Sequence, residues 1–202
     1  MNQMLETIYN AILDGDVAGT ADGVRSALDA GLGPGLILSD GMIAAMKEVG
    51  KRYEEGDFFV PEMLVSARAM QNGLSLLKPY LAGSDIKSAG RVVIGTVKGD
   101  LHDIGKNLVG LMLEGAGFEV KDLGVDVPPE KFVEAASGGQ ADVVALSALL
   151  TTTMPNMQAV IEAIQQAGLR GKVKVIIGGA PVTQEYANQI GADIPESPTP
   201  RR

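Results

Sequence analysis

The sequence predicts a two-part α/β chain in which a small bundle of four helices precedes a parallel sheet covered by helices. Three observations carry that expectation. From Asn2 to about Leu81 the apolar residues recur at helical rather than strand spacing. A small, polar stretch follows at Ala82 to Gly90. Beyond it, short β-rich apolar runs alternate with helix-like segments, the pattern of strands joined by crossover helices. With 202 residues and 46% hydrophobic content, both parts can bury a core. The expected division is residues 1–82 for the bundle, 83–90 for a linker and 91–202 for the sheet domain.

Within the bundle, turns are expected at Asp14-Gly15-Asp16, Gly31 to Gly35 and Glu55-Gly56-Asp57, and connections this short favour antiparallel neighbours. The third helix carries Leu38, Met42, Ala45, Val49 and Tyr53 on one face. The fourth starts near Pro61 and repeats Met63, Ala67, Met70, Leu74, Leu77 and Leu81 at steps of three and four, which lays a single stripe along it.

In the second part, strands are expected at Val92 to Val97, Phe118 to Leu123, Val143 to Leu146 and Val173 to Ile177, with a helix over Met154 to Ala167. Parallel sheets of this kind bind ligands beyond the carboxyl ends of their strands, where the strand order reverses. Three loops fall there: GDLHDIG after the first strand, SALLTTT after the third and GGAPV after the fourth.

Composition narrows the chemistry. A net charge of -8 and no clustered Lys or Arg exclude a nucleic-acid surface. Zero cysteines exclude disulfides, thiolate zinc sites and iron–sulfur clusters, so any metal is held by nitrogen, oxygen or a bound cofactor. No membrane partner is expected, because no apolar run reaches spanning length, and the first residues lack a signal-peptide pattern. The expected location is therefore cytoplasmic.

The only histidine, His102, lies in the first loop. By itself it reads as a surface residue, but Asp100 two positions before and Gly105 three after make the segment DxHxxG. A metal-ligating imidazole commonly gives its other N–H to a carboxylate, and Asp100 is placed to accept it. Gly105 allows close backbone approach and Asp103 is placed to cap the following helix. The second loop holds Ser147-Ala148-Leu149 followed by Thr151, Thr152 and Thr153, whose hydroxyls read as caps of the next helix and whose small polar residues equally suit a tight pocket. Gly178, Gly179 and Ala180 read as a turn or as a place cleared of side chains.

Taken together, DxHxxG, 41 residues, SxL, 28 residues and GG resemble the signature of base-off, His-on cobalamin-binding domains. The words GTVKGDLHDIGKNLV and LGVDVPPEKFVEAA resemble the corrinoid proteins of methyltransferase systems, and VGKRYEEGDFFVPEMLVSARAM resembles the helical cap found in them and in cobalamin-dependent methionine synthase. The resemblance implies a four-helix cap and a Rossmann-like, flavodoxin-like cobalamin domain. It makes His102 the lower axial cobalt ligand and Asp100 its partner. Ser147 would touch the nucleotide tail, with Gly105, Leu149, Thr151, Gly178 and Gly179 lining its channel. Gly99, Leu101, Asp103, Ile104, Thr152 and Ala180 would complete the binding loops, and Met63 and Met70 would shield the other corrin face.

The implied cofactor is cobalamin, methylcobalamin when loaded, with the protonation of His102 and Asp100 linked to the state of the cobalt. The implied function is a methyl carrier, non-catalytic alone, between a substrate-specific methyltransferase and an acceptor methyltransferase acting on a thiol or tetrahydrofolate, kept active by a reductive activator. A hinge at the linker would let the cap move aside. A cobalamin-dependent sensor or regulator, or the small subunit of a mutase, are the alternatives. They are disfavoured by the missing basic recognition helix and by the long helical half respectively. Family members also continue through a fifth strand and closing helix, which Pro195, Pro198 and Pro200 oppose, so an altered sheet edge is expected.

Overall fold

A computed structural model describes residues 2–81 and 88–193. They fall into two compact units, Met1–Ala89 with Leu111–Phe118 and Gly90–Gly110 with Glu119–Arg202. The expected linker over 83–90 lies outside the described residues except at 88–90.

The first unit is helical. Helix α1 (Gln3–Leu13) ends at the expected Asp14-Gly15-Asp16 break, and Asp16 then opens α2 (Val17–Asp29), its Oδ1 accepting the Gly19 N–H at 2.9 Å. That bond satisfies one of the donors every helix start leaves open. Asp16→Ala is expected to cost about 1 kcal/mol, read as a lower denaturation midpoint with an unchanged m-value. An unchanged midpoint would show that the cap contributes nothing.

The third helical run is not the uniform helix its periodicity suggests. It begins as α3 (Pro34–Leu36), widens into a π-helical stretch over Ile37–Ile43, and continues as α4 (Ala44–Glu55). The wider turn buries Ile37, Leu38, Gly41 and Met42 together, whereas Tyr53, expected on the same face, is exposed. Helix α5 (Val60–Leu81) starts where Pro61 implied, and Glu62 reaches back to accept the Phe59 N–H at 3.0 Å. Ile8, Ile12, Val24, Met42, Met70 and Leu77 form the fully buried centre. Met70 therefore has no face to offer a ligand, and Met63 is half-buried against the same core. The stripe on α5 is bundle core, because the spacing that aligns it also turns it inward.

The second unit holds four parallel strands: β1 (Arg91–Thr96), β2 (Glu119–Asp122), β3 (Val143–Ser147) and β4 (Lys174–Gly178), in the order β2-β1-β3-β4. Each lies within about a residue or so of its sequence-predicted span. Strand β1 leads into α6 (Ile104–Gly115), β2 into α7 (Pro129–Ala136), β3 into α8 (Pro155–Gln166) and β4 into α9 (Gln184–Ile190). Val93, Val144, Leu146 and Val175 share a core with Phe132, Met157, Val160 and Ile164 from α7 and α8. The connection from β1 runs toward one edge of the sheet and that from β3 toward the other, which opens a crevice at the carboxyl ends between them.

After α9, the Asp193 carboxylate accepts the Val175 N–H at 2.7 Å and Arg170 Nη1 at 2.6 Å beside the edge strand β4. The expected alteration of that edge falls on residues 194–202, outside the described residues.

Candidate functional site

Residue pairing across the sheet brings the three sequence-predicted loops to one place. Thr96 pairs with Ser147, and Ser147 with Gly178, so these residues form one row across β1, β3 and β4 at the carboxyl ends of the strands. The loop of His102 leaves from the first position in that row, the SALL segment from the second and the glycine pair from the third.

Asp100 organises the site. It is completely buried, and both its oxygens are engaged. Oδ1 accepts the His102 backbone N–H at 3.1 Å and lies 2.7 Å from His102 Nδ1. Oδ2 accepts the Thr153 hydroxyl at 2.7 Å, the Leu149 N–H at 2.8 Å and the Leu150 N–H at 3.3 Å. Burial by itself pushes this carboxyl up. The hydrogen bonds from Thr153, His102 and Leu149 outweigh it and hold the group well below the usual carboxylate range. Asp100 is thus an anion at neutral pH and accepts only, so in the neutral imidazole of His102 the proton sits on Nδ1 and the Nε2 lone pair is open to a metal.

The rest of the loop holds that imidazole still. Thr96 Oγ1 donates to the His102 carbonyl at 2.9 Å, Asp126 Oδ1 accepts the Gly99 N–H at 2.7 Å, and Asn156 Nδ2 donates to the Lys98 carbonyl at 2.9 Å. The His102 side chain nevertheless remains 52% exposed. Its neighbours Leu101 and Ile104 are 71% and 86% exposed, an apolar rim that water alone does not explain.

Below the ring a cavity of about 700 Å³ runs between the start of α6 and the sheet. It reaches Leu101, His102, Asp103, Ile104 and Gly105 on one side. Ser147, Leu149, Gly178, Gly179 and Ala180 line it on the other. A Cβ built on Gly105 or Gly178 would meet nothing within 4 Å, so both glycines open onto empty space. Gly179 has φ +141° and packs directly on the Ala148 backbone.

Some expectations change. Thr151 and Thr152 lie in the exposed turn before α8 and do not line the cavity; Thr153 is the residue of that run that turns inward, to Asp100. Asp103 does not cap α6 through its carboxylate, which instead accepts the Asn107 side-chain amide at 3.0 Å. Asp126 and Asn156 carried no sequence signal, since they act on this loop from 27 and 58 positions away.

The donor set defines the class of ligand. Among the described residues no cluster of three or more acidic or histidine side chains could hold a bare ion. A metal at His102 Nε2 must bring its other ligands with it, and the long apolar cavity beside the ring must take an organic appendage. Those are the requirements of a corrinoid with its nucleotide tail, and the residues present fit them.

The comparisons with known proteins agree. Residues 90–200 match the B12 binding domain family, and residues 4–78 match a second family also described as a B12 binding domain. The chain is 46% identical over 194 residues to trimethylamine corrinoid protein 1 of Methanosarcina acetivorans, covering 95% of this chain and 90% of that one. It is 48% identical over 176 residues to dimethylamine corrinoid protein 1 of the same organism, covering 85% and 83%. Among solved structures it is similar to the methanol:cobalamin methyltransferase complex MtaBC of Methanosarcina barkeri, with a TM-score of 0.84, 32% identity and coverage of 93% and 72%. The chain belongs to the corrinoid proteins of methyltransferase systems.

Proposed function

We propose that this chain carries a methyl group on a corrinoid bound base-off/His-on, with His102 Nε2 as the lower axial ligand. The observation that carries this reading is an imidazole whose Nδ1 lies 2.7 Å from a buried carboxylate, beside a cavity of about 700 Å³ that can take the displaced nucleotide. When bound, the corrinoid supplies a cobalt that takes up and gives back a methyl group. The chain's own residues do the rest. Asp100 fixes the tautomer and ring plane of His102, and Thr153, Leu149 and Leu150 fix Asp100. Gly105 and Gly178 leave room for the tail, and Ser147 offers it a hydroxyl.

The methyl group arrives from a separate substrate-specific methyltransferase. Identities of 46% and 48% to trimethylamine and dimethylamine corrinoid proteins, against 32% to the methanol system, favour a methylamine donor. A second methyltransferase with a thiol or tetrahydrofolate acceptor removes it, and a reductive activator restores oxidised cobalt.

The test is His102→Ala loaded with cobinamide, which carries no nitrogenous base of its own, and reduced to cobalt(II). The wild-type chain is expected to show nitrogen hyperfine coupling in its electron paramagnetic resonance spectrum and the variant to lose it. Coupling that persists in the variant contradicts the assignment.

A further inference from the structure

Two parallel rows of side chains on one sheet face set the character of the cavity. In the row at the mouth stand Thr96, Ser147 and Gly178; two residues deeper on the same face stand Ile94, Ala145 and Ile176, paired in register across β1, β3 and β4. Ile94, Ala145 and Ile176 all line the cavity, and the first two are almost wholly shielded from water. The charged side chains along the wall are already committed. His102 is held by Asp100, Asp103 accepts from Asn107, and Lys106, itself buried, donates to Asn107 Oδ1 at 2.7 Å and to Asp122. Ser147 is the hydroxyl-bearing side chain on the wall, and it stands at the mouth rather than in the depth.

We infer that the row Ile94–Ala145–Ile176 selects the lower base of the corrinoid, accepting an apolar benzimidazole and discriminating against a purine. This rests on the base-off reading above, in which the displaced base enters the cavity. A benzimidazole presents carbon edges and methyl groups that an aliphatic row can cover. Adenine adds an exocyclic amine and two further ring nitrogens. Set against the row they would exchange water for a surface with no hydrogen-bonding side chain, and each unpaired group weakens binding.

The experiment titrates the full-length apo chain with three corrinoids, following visible absorbance: cobalamin, its adeninyl counterpart and cobinamide, which has no base. Cobalamin is expected to bind at least about ten-fold more tightly than the adeninyl form. Ile176→Gln adds an amide to the half-buried member of the row, and Ala145→Ser adds a single hydroxyl should the larger change disturb folding. Either variant that retains the wild-type melting temperature is expected to narrow the preference at least about three-fold while leaving cobinamide affinity unchanged. Equal affinity for the two complete corrinoids, with coupling to a ¹⁵N-labelled His102 seen in both cobalt(II) spectra, would overturn base selection and leave the base-off reading intact. A preference that neither variant narrows would overturn its assignment to this row. Absence of coupling to the labelled histidine with every corrinoid would overturn the reading itself and this inference with it.

Discussion

Asp100→Ala is expected to lower stability by about 3 kcal/mol, because it removes the buried acceptor of several donors at once. The part-buried N–H groups of His102 and Leu149 would lose their partner, the Thr153 hydroxyl would keep only the Leu150 carbonyl at 2.9 Å, and orphaning a shielded donor costs about 1–3 kcal/mol. Relaxation and water entering the vacated space recover part of that sum. In a chain of this size the loss corresponds to a fall in melting temperature of about 6–12 °C.

The pH dependence has a definite sign. The folded-state titration of Asp100 lies below the ordinary carboxylate value, so its contribution is fully present above about pH 4 and is lost as pH falls through the lower, folded value. The stability gap between wild type and Asp100→Ala should therefore shrink in strong acid, read by chemical denaturation at neutral and at strongly acid pH. A gap unchanged in strong acid would show that the carboxylate does not carry it.

Asp100→Asn separates the structural role from the chemical one. An amide has one accepting oxygen, and the site asks for acceptance on both sides. If the oxygen faces Leu149 and Thr153, the NH₂ faces His102, opposes its backbone N–H and forces Nδ1 to accept. The ring proton then moves to Nε2, which can no longer ligate a metal. With a single histidine in the chain, ¹⁵N spectra of the labelled protein read this tautomer without ambiguity. The expected result is an Nδ1–H ring in the wild type and an Nε2–H ring in the variant. The same tautomer in both would refute the role assigned to Asp100.

How much of this was legible in the sequence depends on whether the signal was local. Asp100 and His102 are two residues apart, so their pairing was readable from spacing, as were the four strands from their β-branched runs and α5 from its stripe. Thr153 was not. In the run Thr151-Thr152-Thr153 all three hydroxyls look alike, and only the turn bonded from Thr153 N–H to the Leu150 carbonyl aims the third inward. Asp126, at φ +53°, reaches Gly99 across 27 positions and left no trace in either segment. The π-helical widening of Ile37–Ile43 was hidden because a 3.6-residue reading still finds apolar residues at Leu38 and Met42. Met70 shows the converse error, since an apolar stripe reports that a face is covered and not by what.

Gly179→Ala is expected to destabilise the chain by about 2–4 kcal/mol, while Gly178→Ala, one position earlier, should stay within about 0.5 kcal/mol of wild type. The contrast follows from what each new methyl group would meet. At Gly179 the Cβ would fall 1.8 Å from the Ala148 carbonyl oxygen and 2.9 Å from its carbon, at a φ of +141° that side-chain-bearing residues rarely adopt. Neither obstacle is the end of a flexible side chain; both are backbone, so the two loops must separate. At Gly178 the methyl group would enter open space. The damage at Gly179 does not stay local, because Ala148 is itself buried, its N–H donates to the Gly178 carbonyl at 3.2 Å, and the next N–H, that of Leu149, holds Asp100. A shift of the Ala148 backbone away from Gly179 therefore pulls a donor from the carboxylate that orients His102. Gly179→Ala should weaken corrinoid binding and broaden the His102 ¹⁵N resonances beyond what its loss of stability accounts for. Chemical denaturation of the two variants side by side decides the matter, and equal midpoints would mean that the close approach of the two loops is not what requires glycine at 179.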